Sequence, residues 1–319
     1  MRNRLRSPAP PWASRVLAVL SILVALAVTA VTVPRLPEFS PWPALLGLVP
    51  WTIGKYVLCP IRWYAISDSG RSMRWHLTSF AESEVFGLLT PGHIGADIWR
   101  MRRLRQTGMP RLAAAADVGL DRFVGAIGLV LFISFAATTL PLQMVLVSFV
   151  GGLVALLAAL LVHRLRPDWL PRRRLPPLGR LIHGLALSVA YQASIIALLV
   201  GTLLATGYHL SPLGVLGAFG ASQLAAAVPG PNGASPRDGA LAVALNALGV
   251  PWAAALGAVT LKALLAWGPA VILGGGCLLL AHRRGGLPGR SADVSHSAAP
   301  AALLACPVTP VCPVTPATT

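Results

Sequence analysis

The sequence predicts an all-α integral membrane protein, a polytopic helix bundle without a soluble catalytic domain. Of the 319 residues, 55% are hydrophobic and only 11% are charged, whereas a soluble domain has about 25% charged residues. Several apolar runs reach the roughly 17 to 25 residues that cross a bilayer core. Two further apolar segments are interrupted by turns rich in proline and glycine. Lipid must therefore be the solvent for most of the chain.

Six apolar runs are long enough to span the membrane. They cover residues 16–33, 42–61, 112–140, 142–162, 181–206 and 252–280. The first follows a basic N-terminus, as in a signal peptide, but it exceeds the about 7 to 15 apolar residues of such a peptide. We therefore expect an uncleaved helix there, with residues 1–15 as a basic N-terminus and 16–284 as the membrane domain. Residues 285–319 have the composition of a disordered tail.

The basic residues determine the predicted orientation. The formal net charge is +16, and the arginines cluster in short segments between the apolar runs. These segments are residues 2–15, 62–74, 100–111, 164–180 and 283–290. Because positive residues remain in the cytoplasm, both termini should be cytoplasmic. The same charge in a soluble protein would suggest a nucleic-acid partner, but membrane orientation accounts for its distribution here, so we expect no such partner.

Two apolar segments begin and end on the same side of the membrane, which is typical of re-entrant hairpins. The segment at 75–100 has cytoplasmic arginines at both ends, whereas 213–250 begins and ends outside. Their turns share the string Pro-Gly-x-x-Gly-Ala, at 91–96 and 229–234. One motif in two opposite orientations predicts an inverted repeat, an architecture common in transporters. Chance is the alternative, since the chain contains 31 glycines and 28 prolines.

Ionisable residues inside the predicted spans are candidates for function, because charge within a bilayer is costly. Asp117 and Asp121 share one helix face, while Arg122 points about 100° away, so their partners should lie on other elements. Asp117 is either functional or merely solvated near the cytoplasmic end. For Asp121 and Arg122 we expect a functional role or a buried bridge. Lys262 is either a functional cation or a side chain that snorkels to the interface.

Arg122 and Lys262 occupy similar positions in the two predicted halves. Arg122 follows Pro91 by 31 residues, and Lys262 follows Pro229 by 33. This similarity predicts that the two cations gather one anionic headgroup near the midplane.

The turns of the hairpins offer backbone groups to such a headgroup. Small residues allow the chain to turn, and a helix that starts after the turn directs its positive end at the midplane. The glycines concerned are Gly92, Gly95, Gly230 and Gly233. In the second turn, Ser235, Pro236 and Asp238 have the pattern of a capping box, which leaves Arg237 as the ligand candidate. His93 either donates to a headgroup or is solvated in its turn.

The sequence contains none of the common hydrolase, metalloprotease or nucleotide-binding motifs. Its four cysteines show no metal-ligand spacing; they are Cys59, Cys277, Cys306 and Cys312. We expect neither a metal site, a cofactor nor an enzyme.

Four strings, in this order and spacing, resemble the transmembrane region of lysylphosphatidylglycerol synthases, also described as flippase-like domain proteins. They are Ile-Arg-Trp at 61–63, Thr-Pro-Gly-His-Ile-Gly-Ala-Asp at 90–97 with Arg100, Asp-Arg-Phe-Val-Gly at 121–125, and residues 229–238 followed by 240–250. The resemblance covers about residues 40–285. Two positions depart from the family pattern, since Ala96 replaces a usual glycine and Asp238 replaces a usual glutamate.

The resemblance implies lipid translocation without synthesis, in the cytoplasmic (inner) membrane of a bacterium. The expected partner is an anionic phospholipid or a polyprenyl-phosphate-linked lipid, held between the two hairpins. Arg122, Arg237 and Lys262 would contact its phosphate, while Asp97 and Asp121 would position those cations or bind a proton or an amino headgroup. The alternatives are an intramembrane lipid-modifying enzyme and a non-transporting subunit of a cell-envelope assembly complex. A homo-oligomer is compatible with the sequence.

Overall fold

The computed structural model describes residues 39–88, 90, 93–134, 176–225 and 235–283, with isolated positions elsewhere. These residues form eight helices. They are α1 Pro41–Ile66, α2 Met73–Leu88, α3 Ile94–Gln106, α4 Arg111–Ser134, α5 Leu178–Ala205, α6 Pro212–Leu224, α7 Pro236–Ala247 and α8 Trp252–Arg283. The predicted spans at 16–33 and 142–162 and the predicted tail lie outside the described residues, and so do Gly92, Gly230 and Gly233.

Three helices are long and apolar enough to cross a membrane, among the residues that the structure describes. They are α1, α5 and α8, with 26, 28 and 32 residues. At about 1.5 Å per residue, each exceeds the roughly 30 Å of a bilayer core. They confirm the runs predicted at 42–61, 181–206 and 252–280. The helix α1 continues five residues further than its apolar run because Arg62 is neutralised inside the protein by Asp121.

The helices α1 and α5 pack antiparallel and very closely. At one end, the Ser40 amide donates to the Ala205 carbonyl over 3.0 Å, and towards the other end Arg62 donates to the Ser188 hydroxyl over 3.1 Å. Between them, a β-carbon at Gly47 would lie 2.7 Å from the Ala197 carbonyl oxygen. Small residues at such contacts allow helix backbones in membranes to approach.

The helices α2 and α3 form a hairpin that begins and ends beside the C-terminal end of α1. Phe86 and Trp99 stack with ring centroids 4.2 Å apart, and Trp99 Nε1 donates to Glu82 over 3.1 Å. At the turn, the Gly95 amide donates to Thr90 Oγ1 over 2.7 Å. Gly95 lies against the Phe86 carbonyl, where a side chain would collide. The chain therefore doubles back within a few residues.

The helices α6 and α7 form a second hairpin, which begins at the opposite end of the α1–α5 pair. It follows the C-terminal end of α5, which contacts Ser40 at the start of α1. The Ser211 side chain accepts from the Gly214 amide to cap α6, and Ser235 with Asp238 forms the predicted capping box of α7. Phe219 of α6 and Leu241 of α7 are buried in one apolar cluster with the start of α8. The helix α2 thus begins near one end of the α1–α5 pair and α6 near the other.

Candidate functional site

A charged cavity of about 120 Å³ lies between the two hairpins and the long helices. This volume corresponds to roughly four water molecules. We call it the central cavity. Its lining combines apolar and ionisable side chains from both halves of the chain; the ionisable and polar ones are Lys55, Glu84, His93, Tyr191, Ser235, Arg237, Asp238 and Lys262.

The first half contributes Lys55 and Glu84, which form an ion pair. Lys55 Nζ lies 3.0 Å from Glu84 Oε2, and both side chains are largely buried. The Lys55 ammonium also lies 5.6 Å from the centroid of the Phe80 ring and 5.9 Å from that of Tyr191. A π-helical turn at Gly54–Leu58 carries Lys55, and such turns are frequent at functional sites. Lys55 lies near the middle of α1, about 16 Å from its end at Ile66.

The second half contributes Arg237, Asp238 and Lys262. Lys262 Nζ lies 3.4 Å from Asp238 Oδ1, and Asp238 Oδ2 accepts from the Ser235 hydroxyl over 2.6 Å. Asp238 therefore caps α7 and neutralises Lys262 at the same time. The Arg237 guanidinium lies 5.5 Å from the centroid of the Phe219 ring.

Arg237 is the cation in excess at this cavity. Among the residues that the structure describes, the lining holds three cationic side chains and two carboxylates, and each lysine is paired with one carboxylate. Arg237 makes no ion pair or hydrogen bond with another residue that the structure describes. Because electrostatic attraction is strong in a poorly solvated interior, the central cavity favours one anionic group.

His93 also lines the central cavity, just before the first turn of α3. Its backbone φ is +59°, a conformation that residues other than glycine seldom adopt. The structure places His93 in the wall of the central cavity, and its contact with a headgroup stays a prediction.

Asp121 lies in a buried triad with two arginines and does not line the central cavity. Arg62 Nε contacts its Oδ1 over 2.8 Å, and Arg100 Nη2 contacts its Oδ2 over 2.8 Å. The triad joins α1, α3 and α4. Asp117 shares this buried face and accepts from Trp63 Nε1 over 2.8 Å. Asp121 thus forms the buried bridge, and the solvated interpretation of Asp117 is wrong because Trp63 and the chain before α2 cover it.

Arg122 pairs with Asp97, on another element as predicted. Arg122 Nη2 lies 2.9 Å from Asp97 Oδ1, and the two side chains remain 49% and 27% exposed. Neither residue lines the central cavity, whereas Lys262 and Arg237 do. Gly95 does not line the cavity either, because it is packed against Thr90 inside the turn of the first hairpin.

The sequence interpretation missed Lys55 and Tyr191 as site residues. Lys55 belongs to no motif, but a lone lysine inside the apolar run at 42–61 is a costly feature that could have been noticed. The sequence does not mark Tyr191 as a site residue, because an aromatic residue in an apolar helix usually packs in the core. Only the packing of α5 against α1 brings it to the cavity.

Apolar helices of spanning length around a charged interior define an integral membrane protein of the helical class. The family model for the lysylphosphatidylglycerol synthase TM region matches residues 12–274. The chain belongs to this family, which confirms the resemblance seen in the four strings. Comparisons with curated proteins and with solved structures find no significant match.

Proposed function

We propose that the protein binds an anionic membrane lipid in the central cavity and carries its headgroup across the membrane. The lipid would be a phospholipid or a polyprenyl-phosphate-linked lipid. No bond of the lipid is made or broken in this proposal, so the protein would act as a transporter and not as an enzyme. Membership in a family of membrane regions from lipid synthases supports a role in lipid handling.

The excess cation at the central cavity carries this proposal. Arg237 faces a partly enclosed space in which both lysines already have carboxylate partners. A lipid phosphate would supply the missing charge, and its oxygens could accept from the planar guanidinium in a bidentate fashion. The acyl chains would remain among the apolar helices. The apolar walls of the central cavity include Trp51, Ile195 and Ala266.

Two corresponding ion pairs support an inverted repeat, and with it alternating access. In each half, a carboxylate in the first turn of the helix after the hairpin turn pairs with a cation on the next helix. Asp97 pairs with Arg122 at a separation of 25 residues, and Asp238 pairs with Lys262 at a separation of 24. The hairpins that carry them begin near opposite ends of the α1–α5 pair. Transporters with inverted repeats hold substrates near the midplane, where such broken helices meet.

The two corresponding pairs differ in burial. The Asp97 and Arg122 side chains are 27% and 49% exposed, while those of Asp238 and Lys262 are 10% and 14% exposed. If the halves exchange conformations during transport, the first pair becomes buried when the second opens. This asymmetry fits one of two alternating states.

We further propose that the end of the bundle at Ile66 and Leu178 faces the bacterial cytoplasm. Arginines cluster in the sequence before α2 and around the start of α5. Arg71, before α2, and Arg180, in the first turn of α5, line one cavity, so two parts of the chain to which the charge pattern assigns the same side are neighbours in space.

Replacing Arg237 tests the proposal. Arg237→Gln removes the excess charge, and Arg105→Gln removes an equally positive but exposed residue outside the cavity lining. After purification, mass spectrometry should find anionic lipid bound to wild type and to Arg105→Gln, with a loss of roughly tenfold or more for Arg237→Gln. In vesicles, fluorescent anionic lipid should move between leaflets with wild type and with Arg105→Gln, but not with Arg237→Gln.

Unchanged lipid binding and translocation in Arg237→Gln would overturn the proposal. Two measurements separate the alternative functions, namely the mass of the lipid after incubation with the protein and its translocation in vesicles. A covalent change in the lipid would favour the lipid-modifying enzyme. Binding without translocation would favour the non-transporting subunit.

A further inference from the structure

A second cavity, of about 530 Å³, lies where α1 ends and α5 begins. It is more than four times as large as the central cavity. Its walls come from the end of α1, the segment before α2, the first turn of α2, and the first two turns of α5. Among the residues that line it are Ile61, Tyr64, Ser69, Arg71, Arg180 and His183. We call it the interfacial cavity, because it borders the ends of two helices of spanning length.

Among the described residues, the lining of the interfacial cavity has cationic side chains and no carboxylate. It contains Arg71 and Arg180 and no aspartate or glutamate of the described residues. Neither arginine makes an ion pair with another residue that the structure describes. The arginines come from segments more than 100 residues apart in the chain. Only the packing of α1 against α5 brings them to the same cavity.

The segment that carries Arg71 is held in place by a buried histidine. His76 is 1% exposed, and its Nδ1 lies 3.0 Å from the Ser72 carbonyl oxygen. Since a carbonyl only accepts, Nδ1 carries the hydrogen, and Nε2 of the neutral ring accepts from the Ser69 hydroxyl, 3.2 Å away. The Arg71 amide in turn lies 3.4 Å from Ser69 Oγ. The backbone at Arg71 is thus anchored, while its side chain is exposed.

Apolar surface lies directly beside the two arginines. Ile61 and Tyr64 of α1 line the same cavity, and Tyr64 is 43% exposed. A free anion in water would gain nothing from such a wall, whereas a phospholipid presents a phosphate and a glycerol backbone with acyl chains. Aromatic residues at the ends of spanning helices commonly sit at headgroup level.

We infer that the interfacial cavity binds the phosphate headgroup of an anionic phospholipid from the leaflet that borders this end of the bundle. Arg71 and Arg180 contact the phosphate, and Ile61 and Tyr64 contact the glycerol backbone. The site is separate from the central cavity and does not depend on translocation. It would hold a lipid even if the proposed transport function were wrong.

Counting bound lipids on the full-length protein tests this inference. The probe is phosphatidylglycerol, titrated onto purified protein and counted by native mass spectrometry, with phosphatidylcholine as the neutral comparison. The test variant is Arg71→Gln with Arg180→Gln. The control is Arg74→Gln with Arg105→Gln, which removes the same charge from exposed residues outside this cavity. We expect the test variant to lose one phosphatidylglycerol, with affinity for it falling roughly tenfold or more, while the control keeps it.

Additional measurements distinguish a phospholipid site from diffuse surface charge and from a site for free anions. Arg71→Lys with Arg180→Lys should keep the lipid. If the glutamine double variant fails to fold, Arg71→Gln and Arg180→Gln are each measured alone, and each should weaken binding of the lipid. Equal losses in test and control variants would show a diffuse surface charge and would overturn the site. Displacement of the lipid by millimolar inorganic phosphate would show a site for free anions and would overturn it as well. Arg237→Gln should keep the lipid of the interfacial cavity. A wrong assignment of the interfacial site can therefore be distinguished from a wrong assignment of the central cavity.

Discussion

Removing the carboxylate of Asp121 should destabilise the protein more than any other single neutralisation of an acidic residue in the described bundle. Asp121 is fully buried and is the shared partner of Arg62 and Arg100, each at 2.8 Å. In Asp121→Asn the shape is retained, but two buried guanidinium groups lose their counter-charge. Arg62 keeps a hydrogen bond to Ser188, and Arg100 keeps its position 4.2 Å from the Trp63 ring centroid. Neither contact supplies negative charge.

The expected cost follows from the burial of the triad. Breaking a buried ion pair by removing one partner costs about 3 to 5 kcal/mol, because a charge is left uncompensated. For a domain of this size, each kcal/mol lowers the melting temperature by roughly 2 to 4 °C, so we expect a fall of roughly 6 to 20 °C. The matched control is Asp97→Asn, which breaks the partly exposed pair with Arg122. Such a pair contributes about 0 to 1 kcal/mol.

Thermal unfolding of the purified variants in detergent measures both effects. A second pair of variants tests which cation depends on Asp121. Asp121→Asn combined with Arg100→Met should recover part of the loss, since one uncompensated charge is removed, whereas combination with Arg122→Gln should not. Equal melting temperatures for Asp121→Asn and Asp97→Asn, or rescue by Arg122→Gln, would refute the triad.

Three further predictions concern packing, the cavity and topology. Gly54→Ala places a methyl group against Ser194 and should destabilise the protein by about 1 to 3 kcal/mol in thermal unfolding. The control Gly276→Ala places its methyl group in open space and should leave stability unchanged. Equal effects of the two substitutions would contradict the close contact between α1 and α5. Lys262→Gln removes one of the cations that line the central cavity, so the described lining no longer has excess positive charge. It should reduce retention of anionic lipid more than Arg122→Gln, measured by mass spectrometry; the reverse order would place the headgroup elsewhere. Single cysteines in a cysteine-free background should resist a membrane-impermeant reagent in intact cells, and labelling at any one would overturn the topology. The positions are Ser7, Asp168 and Ser295.

Local patterns in the sequence determined which segments are helices and where several of them begin. The apolar runs at 42–61 and 181–206 predicted α1 and α5, since burying so much apolar surface requires lipid or a core. The string Ser-Pro-Arg-Asp at 235–238 predicted the capping box of α7, because a cap depends only on residues within one turn of each other. The strings at 90–97 and 121–125 also indicated the family.

Tertiary structure alone decided how the charges are paired. Asp121 and Arg122 are neighbours in sequence, yet Asp121 joins Arg62 and Arg100 in the core while Arg122 joins Asp97 near the surface. Lys55 meets Glu84 only because a π-helical turn in α1 faces the hairpin of α2 and α3. Helical periodicity tells which side chains share a face, but not which helix that face meets. The partner of a buried charge is set by contacts between elements distant in the chain, and these exist only once the helices have packed.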